Sequence, residues 1–221
     1  MSGLSSNTVR LVEVNVGKPR TLEDDEPWTT GFFKVPVSGP VALQTENLQG
    51  DGQADLKVHG GPDKAVCVYS ADHYPRWQQE LGVRECGPGW FGENFSLQGQ
   101  SEGSAAIGDV YRIGTALVQV SQPRAPCWKL ARRWSRPDMP KLVIDAGRTG
   151  WYLRVLEPGI VARGQTLTLV ERPFPQWTIE VVNDTAYSRG GRTSKTIQFA
   201  KGLSECDALA DGWRHGFKAM L

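Results

Sequence analysis

Short runs of β-branched and aromatic residues, separated by glycine-rich turns, dominate the first three quarters of the chain. This pattern predicts strands, because branched side chains suit a pleated surface. Two of the runs have a turn in the middle, Ile113-Gly114-Thr115 and Arg163-Gly164-Gln165, so each is predicted to form two strands. Many short strands with few helices indicate a barrel or a sandwich, and a barrel is favoured because closure removes exposed edges. The predicted strands cover residues 9–16, 32–37, 65–69, 110–121, 151–156 and 159–171.

Apolar residues at helical spacing predict two helices within this region. One covers residues 72–81 and ends at Gly82, and the other begins at Cys127 and ends before Pro137. The fold is therefore predicted to be mainly β, a barrel with a few helices, over residues 1–172.

The pattern changes after residue 172, where strand signals fade. Glycines at Gly190-Gly191 and Gly202 divide the remainder into three pieces, which predicts a small three-helix domain over residues 173–221. Its last piece has Leu209, Trp213 and Phe217 at four-residue spacing. We interpret this apolar stripe as a face that packs against the barrel.

Composition narrows the classes of partner. The formal net charge of the 221 residues is +1, which gives no general argument for nucleic acid or membrane binding. The start of the chain lacks the features of a secretory signal, and no apolar run reaches membrane-spanning length, so a cytoplasmic protein is expected. Its four cysteines are widely spaced without a CxxC pair, which argues against the common zinc frameworks.

The segment Pro123-Arg124-Ala125-Pro126-Cys127-Trp128-Lys129 carries the strongest chemical signal. Its prolines precede a predicted helix start, where backbone N–H groups and the helix dipole stabilise a thiolate. Arg124 and Lys129 add positive charge beside Cys127. A thiolate serves nucleophilic catalysis or soft-metal ligation, and the alternative is that Cys127 is a small core residue.

A glycine turn between charged residues is a second candidate. Gly60 and Gly61 allow backbone N–H groups to converge on an anion, and Lys57, His59 and Lys64 supply charge around them. His59 could donate a proton or cap the turn. The alternative is an ordinary turn with solvated lysines.

Two further loops contain residues suited to ligand binding. Asn94 could hydrogen-bond the edge of a heterocycle, and Trp90 or Phe91 could stack on its face, unless this loop is simply packed. Arg148 is a candidate bidentate partner for phosphate or carboxylate. All these loops lie at turns or strand ends, where a barrel gathers a site at its mouth.

These segments, in this order, resemble the MOSC family, named for the C-terminal domain of molybdenum-cofactor sulfurase, and in particular its YiiM-type branch. The resemblance runs from about Val9 to the end of the chain. The matching motifs are Gly50-Asp51, Gln53-Ala54-Asp55, His59-Gly60-Gly61, Gly92-Glu93-Asn94, Ile107-Gly108-Asp109, Pro123-Arg124, Pro126-Cys127 and Gly150-Trp151-Tyr152.

The resemblance implies a β-barrel that binds molybdenum cofactor, with Cys127 as the metal ligand. It implies a reductase of N-hydroxylated compounds such as 6-N-hydroxylaminopurine and a Lys–Arg–Cys constellation at the site. Cys127 supplies the cysteine, Arg124 matches the arginine less firmly, and the lysine is Lys64 or Lys57. The phosphate of the cofactor would meet Lys57, Lys64, Arg148 and the glycine loops.

Two classes of function remain open at this point. A reductase needs an external electron-donor reductase, because the sequence shows neither a Rossmann fingerprint nor iron–sulfur cysteine spacing. The alternative is a non-catalytic carrier of molybdenum cofactor, or of sulfur held as a persulfide on Cys127. A cysteine hydrolase is weaker, because it needs a histidine base oriented near the thiol.

Overall fold

The computed structural model describes residues 8–24, 26–188 and 191–221, apart from the side chains of Lys57 and Val58. Two short 3₁₀ turns, Pro62–Lys64 and Ala71–His73, lie among its strands and helices. In chain order the elements are β1 (Val9–Val16), β2 (Arg20–Leu22), β3 (Trp28–Thr30), β4 (Val35–Pro36), β5 (Val41–Leu43), α1 (Leu56–His59), β6 (Val66–Ser70), α2 (Tyr74–Leu81), β7 (Phe95–Gln98), β8 (Val110–Ile113), β9 (Ala116–Pro123), α3 (Trp128–Trp134), α4 (Met139–Asp145), β10 (Trp151–Glu157), β11 (Gly159–Val161), β12 (Thr166–Glu171), α5 (Ile179–Tyr187), α6 (Ser194–Ser204) and α7 (Asp211–Lys218).

Seven strands close into a barrel, in the order β12-β8-β9-β10-β6-β7-β1 and back to β12. The closing pair aligns Val9 with Leu167 in antiparallel register. Strands β6 and β7 are parallel, and the other neighbours in the barrel are antiparallel. The predicted barrel is therefore confirmed, and its closure satisfies the backbone groups that an open sheet would leave at its edges.

Most predicted strands are confirmed, including both runs that fold about a glycine turn. At the first of these turns Gly114 has φ 54°, a conformation that favours glycine. The strand predicted over residues 32–37 is mostly wrong, since only Val35–Pro36 is extended and paired. The preceding residues form a turn instead, in which the Phe32 N–H donates to Thr30 Oγ1 and the Lys34 N–H to the Phe32 carbonyl.

Both helices predicted within the barrel region are confirmed. Helix α2 ends at Gly82, whose left-handed φ of 65° matches the predicted stop, and α3 follows Cys127 directly. Helices α1 and α4 were not predicted, nor were the short strands β2, β3, β5 and β7. No helix in the described ranges has the length and apolar character required to cross a membrane.

Three helices follow the barrel, as predicted, but Gly202 lies inside α6 rather than between helices. A Cβ at Gly202 would lie 2.7 Å from the ring of Trp177, so glycine here permits a close approach. Leu209 and Phe217 are buried in the same hydrophobic cluster as the barrel interior, and Trp213 packs against it. The division into domains 1–172 and 173–221 stays a prediction.

A second hydrophobic cluster lies outside the barrel interior, beneath one side of the cleft described below. It contains aromatic and aliphatic side chains from α2, α3, α4 and the loop before β7. Its buried members are Phe32, Tyr69, Tyr74, Trp77, Cys86, Phe91, Leu130, Met139 and Val143.

The structure predicts different costs for alanine at two glycines that both have positive φ. Gly150 has φ 75°, and a Cβ there would lie 2.4 Å from the Val68 carbonyl oxygen, whereas Gly164 has φ 86° with open space around it. Gly164→Ala should cost about 1–2 kcal/mol through backbone strain alone. Gly150→Ala should cost about 1–3 kcal/mol more, because β6 and β10 must separate. Urea unfolding of both variants measures the free energy of unfolding. An equal loss of this free energy in the two variants would contradict the packing argument.

Candidate functional site

A cleft opens beside the barrel strands β6, β9 and β10. Its volume, including the part that is open to bulk solvent, is about 630 Å³. Its walls come from segments far apart in sequence, so folding rather than local pattern assembles it. The lining residues are Thr30, Gly31, Phe32, Lys34, Asp51, Gly52, Gln53, Ala54, His59, Lys64, Cys67, Gly92, Asn94, Arg124, Ala125, Cys127, Lys129 and Tyr152.

Cys127 lies at the N-cap of α3, as the sequence predicts. Its backbone is extended, with φ −117° and ψ 170°, the non-helical geometry typical of an N-cap residue, and the helix begins at Trp128. Cys127 is partly exposed and forms no disulfide, and its side chain makes no capping hydrogen bond to the helix. The thiol is therefore accessible from the cleft.

Arg124 presents a buried guanidinium to the same cleft. Only 5% of the residue is exposed, and its Nη1 has no hydrogen-bond partner among the described residues. The guanidinium carbon lies 5.7 Å from the centre of the Phe32 ring, and the backbone N–H donates to the Gly150 carbonyl at 3.0 Å. An unsatisfied buried donor is costly, so this nitrogen is suited to an anionic ligand oxygen.

The predicted glycine turn delivers two of its charged residues to the cleft. His59 ends α1 and Lys64 ends the 3₁₀ turn that follows, and both line the cleft. Gly61 has φ 94°, which allows the chain to turn between them, whereas neither Gly60 nor Gly61 lines the cleft itself. Lys57 lies in α1, and its side chain lies outside the described part of the structure.

The surroundings of His59 disfavour the charged form of its imidazole. Burial lowers the pKa of its imidazole, and the positive charges of Lys129, Lys64 and Arg124 lower it further against the opposing effect of Asp55. Its Nδ1 is buried without a hydrogen-bond partner among the described residues. A neutral ring with one open nitrogen can accept or donate a proton at a ligand.

Asn94 and Asp51 build the wall rather than offer groups to a ligand. The Asn94 side chain accepts from the Cys67 N–H and donates to the Asn15 carbonyl and to Asp51 Oδ2, at 3.0, 3.1 and 2.9 Å. Both amide hydrogens are thus used within the protein, which does not support the prediction that Asn94 donates to a cofactor. Asp51 also accepts from the Gly17 N–H at 2.8 Å and forms a buried ion pair with Lys34.

Three further groups at the cleft were not predicted as ligand-binding residues. Lys34 stands in no pattern typical of a site, and Tyr152 was noted only as part of the matching motif Gly150-Trp151-Tyr152. Lys129 was noted only as a charge beside Cys127, yet it is buried and lines the cleft, and no carboxylate is paired with it among the described residues. Cys67 also lines the cleft, and burial raises the pKa of its thiol.

Arg148 lies away from the cleft. Its guanidinium donates to both carboxylate oxygens of Glu80, at 2.8 and 2.9 Å, and stacks 4.6 Å from the centre of the Trp77 ring. These contacts satisfy the side chain within the protein, so the predicted role in cofactor binding is not supported. The loop residue Phe91 is likewise committed to packing, fully buried and stacked 4.2 Å from Tyr69.

The donor set fits a metal that arrives within a larger cofactor. In the described ranges no three histidine, cysteine or acidic side chains cluster closely enough to hold a bare ion. One soft ligand, Cys127, instead shares the cleft with Arg124, whose Nη1 is an unused donor among the described residues. Such a set suits a sulfur-bound metal attached to an anionic group.

The chain belongs to the MOSC family. The model of the MOSC domain matches residues 55–168, which include His59, Arg124 and Cys127. Three relatives agree with this assignment over most of the chain.

The YflK protein of Bacillus subtilis is 43% identical over 94% of this chain and 92% of its own length. The YiiM protein of Escherichia coli is 40% identical over 73% of this chain and 72% of its own. A crystal structure of YiiM from Geobacillus stearothermophilus superposes with a TM-score of 0.79, at 37% identity, over 96% of this chain and 98% of that one. The chain is therefore a YiiM-type MOSC protein.

The environment of His59 predicts how it titrates. The midpoint of its titration should lie below the ordinary histidine pKa of 6.5. Lys129→Gln should raise this midpoint, because removing a nearby positive charge makes protonation of the imidazole easier. NMR titration of the imidazole measures both effects. Lys201→Gln, on the exposed face of α6, serves as the control and should leave the midpoint unchanged. A midpoint insensitive to Lys129 would contradict the charge coupling.

Proposed function

We propose that this protein is a molybdenum-cofactor-dependent reductase of N-hydroxylated compounds such as 6-N-hydroxylaminopurine, with Cys127 as the metal ligand. The observation that carries the proposal is one cleft that combines an accessible thiol with the unpartnered, buried Arg124 Nη1. A fungal relative named a reductase, from Gibberella moniliformis, supports the reaction class. It is 36% identical over 90% of this chain, which matches about a third (35%) of that protein.

The residues of the cleft divide into a soft ligand and an anion-binding set. Cys127 supplies the thiolate, a ligand type that suits a metal already held by sulfur. Arg124, Lys64 and Lys129 line the same cleft and can neutralise a phosphate. When bound, the cofactor supplies the two-electron chemistry of the reaction, and the protein orients the reactants.

The overall reaction converts N–OH to N–H, consumes two electrons and two protons, and releases water. His59 lines the cleft and its ring can carry one of these protons, and Lys64, at the other end of the glycine turn, lines the same cleft and can supply an ammonium proton. Protonation of the departing oxygen is needed because hydroxide is a poor leaving group. We propose that a separate electron-donor reductase provides the electrons and that the reaction takes place in the cytoplasm.

Cys127→Ser should abolish molybdenum retention and turnover while the fold remains, because a hydroxyl is a poor ligand for a soft, sulfur-bound metal. Protein isolated from a cofactor-producing host should contain near-stoichiometric molybdenum, measured by elemental analysis, and the variant close to none. Cys206→Ala, at a buried cysteine among the C-terminal helices, is the matched control. Full activity of Cys127→Ser would exclude ligation by this thiol.

Turnover separates the reductase from a carrier. With a chemical electron donor, a reductase should convert many equivalents of 6-N-hydroxylaminopurine per bound metal. Stoichiometric metal without turnover on any N-hydroxylated compound would instead favour the carrier of cofactor or of persulfide sulfur.

Arg124→Gln should weaken retention of the cofactor roughly tenfold to a hundredfold, the loss expected of a charge-assisted hydrogen bond of about 1.5–3 kcal/mol. Arg148→Gln is the matched control. Arg148 is 6% exposed and Arg124 is 5% exposed, so the two are similarly buried, but Arg148 lies outside the cleft. It should lower thermal stability and leave pterin and molybdenum content unchanged. Equal loss of cofactor from both variants would show that Arg124 acts only through the fold.

A further inference from the structure

We infer that Trp128 is a stacking platform at the mouth of the cleft for the planar nitrogen heterocycle of the substrate. The inference rests on the proposed function, and it concerns which N-hydroxylated compounds the site prefers. Nothing in the reaction itself requires an aromatic substrate, so the preference must come from residues around the reacting group.

The position of the Trp128 ring follows from its neighbours. Cys127 and Lys129, on either side in the sequence, both line the cleft. Lys129 Nζ lies 5.8 Å from the centre of the Trp128 ring, which places the ring next to a cation of the cleft. Trp128 is itself 53% exposed and does not line the interior. The ring therefore lies at the rim, one residue from the proposed metal ligand.

The ring is held in place although it is exposed. Trp28 lies 5.4 Å away between ring centres, tilted by 57°, and is itself fixed by burial and by a 2.8 Å hydrogen bond from its Nε1 to Asp24 Oδ2. On another side the Arg132 guanidinium carbon lies 5.8 Å from the Trp128 ring centre, and Arg132 donates to the Glu26 carboxylate at 2.6 Å. A ring already ordered by these contacts loses little entropy when a ligand stacks on it.

Other aromatic side chains near the cleft are less available. Phe91 is fully buried, and Phe32 is only 9% exposed. Trp128 leaves more than half of its surface open, and stacking a heterocycle on it would remove apolar area from water. Lys129 and Arg132 adjoin the ring and can donate hydrogen bonds to ring nitrogens of a stacked purine.

A purine and a pterin share this stacking chemistry, and the position of the ring favours the purine. The fixed cations line the interior, which suits a resident anionic cofactor, whereas an exchangeable substrate must enter past the rim. The ring that stacks on Trp128 is therefore assigned to the substrate.

The test uses adenine, a purine without the N–OH group, together with two N-hydroxylated substrates. Adenine binding to cofactor-loaded protein is measured by calorimetry for the wild type, Trp128→Ala and Trp128→Phe. KM and kcat are measured for 6-N-hydroxylaminopurine and for hydroxyurea, which has no ring. Leu169→Ala, at an exposed leucine of β12 outside the cleft, is the control.

Trp128→Ala should weaken adenine binding and raise KM for 6-N-hydroxylaminopurine by roughly tenfold, the scale of one base–aromatic stack. KM for hydroxyurea and kcat for both substrates should stay within twofold, and Trp128→Phe should retain most of the affinity. Unchanged adenine binding in Trp128→Ala, or the same loss in Leu169→Ala, would overturn the inference. Loss of pterin from Trp128→Ala, with adenine binding unchanged in the protein still loaded, would assign the ring to the cofactor and also overturn it.

Failure of the proposed function gives a different result. If no variant reduces either substrate while adenine binding still depends on Trp128, the reductase proposal fails and the stacking site stands.

Discussion

A single carboxamide joins the chain segments that form the floor of the cleft. Asn94 bonds to the backbone of β1 and of β6 and to the Asp51 carboxylate, and Asp51 in turn holds Lys34 and the Gly17 N–H. Inside a protein such a network is strong when every member is satisfied and costly when one is missing. This network contributes to the relative positions of the cleft walls, together with the barrel strands and the hydrogen bond from the Gly52 N–H to the Gly17 carbonyl.

The network also determines the charge of the cleft. Asp51 is the acidic residue among those that line it, and its negative charge is already offset by Lys34. Arg124 and Lys129 are buried at the same surface without a carboxylate paired to them among the described residues. Burying cations costs free energy that a bound anion offsets, so the charge of the cleft suits an anionic ligand although the whole chain carries a net charge of only +1.

The sequence predicted those features that depend on local pattern. The barrel, the division of two strand runs at Gly114 and Gly164, and the start of α3 directly after Cys127 follow from residue spacing and turn chemistry, and the structure has them. The short strands β2 and β3 were missed because three residues carry too little periodicity to detect. The same strands support Trp28, so the bracing of Trp128 could not be foreseen either.

Arg148 and Asn94, two predicted site residues, are both bonded to partners that lie far away in the sequence. Arg148 and Glu80 are 68 residues apart, and the inward bonds of Asn94 reach residues up to 79 positions away. A side chain that looks available in the sequence is available in the fold only if no distant partner satisfies it. Arg124 passes this criterion because its Nη1 is unpartnered, and Arg148 fails it because its guanidinium is held by Glu80.

Whether a side chain already has a partner within the fold separates two kinds of contact at the site. Buried groups with unused donors, such as Arg124, suit a tightly held resident cofactor, because their desolvation has already occurred on folding. An exposed ring such as Trp128 suits a ligand that must leave after each turnover, because stacking contributes moderate affinity without burying a charge. The cleft thus combines a cationic interior with the proposed aromatic rim, and the proposed metal ligand Cys127 lines the cleft and directly precedes Trp128 in the sequence.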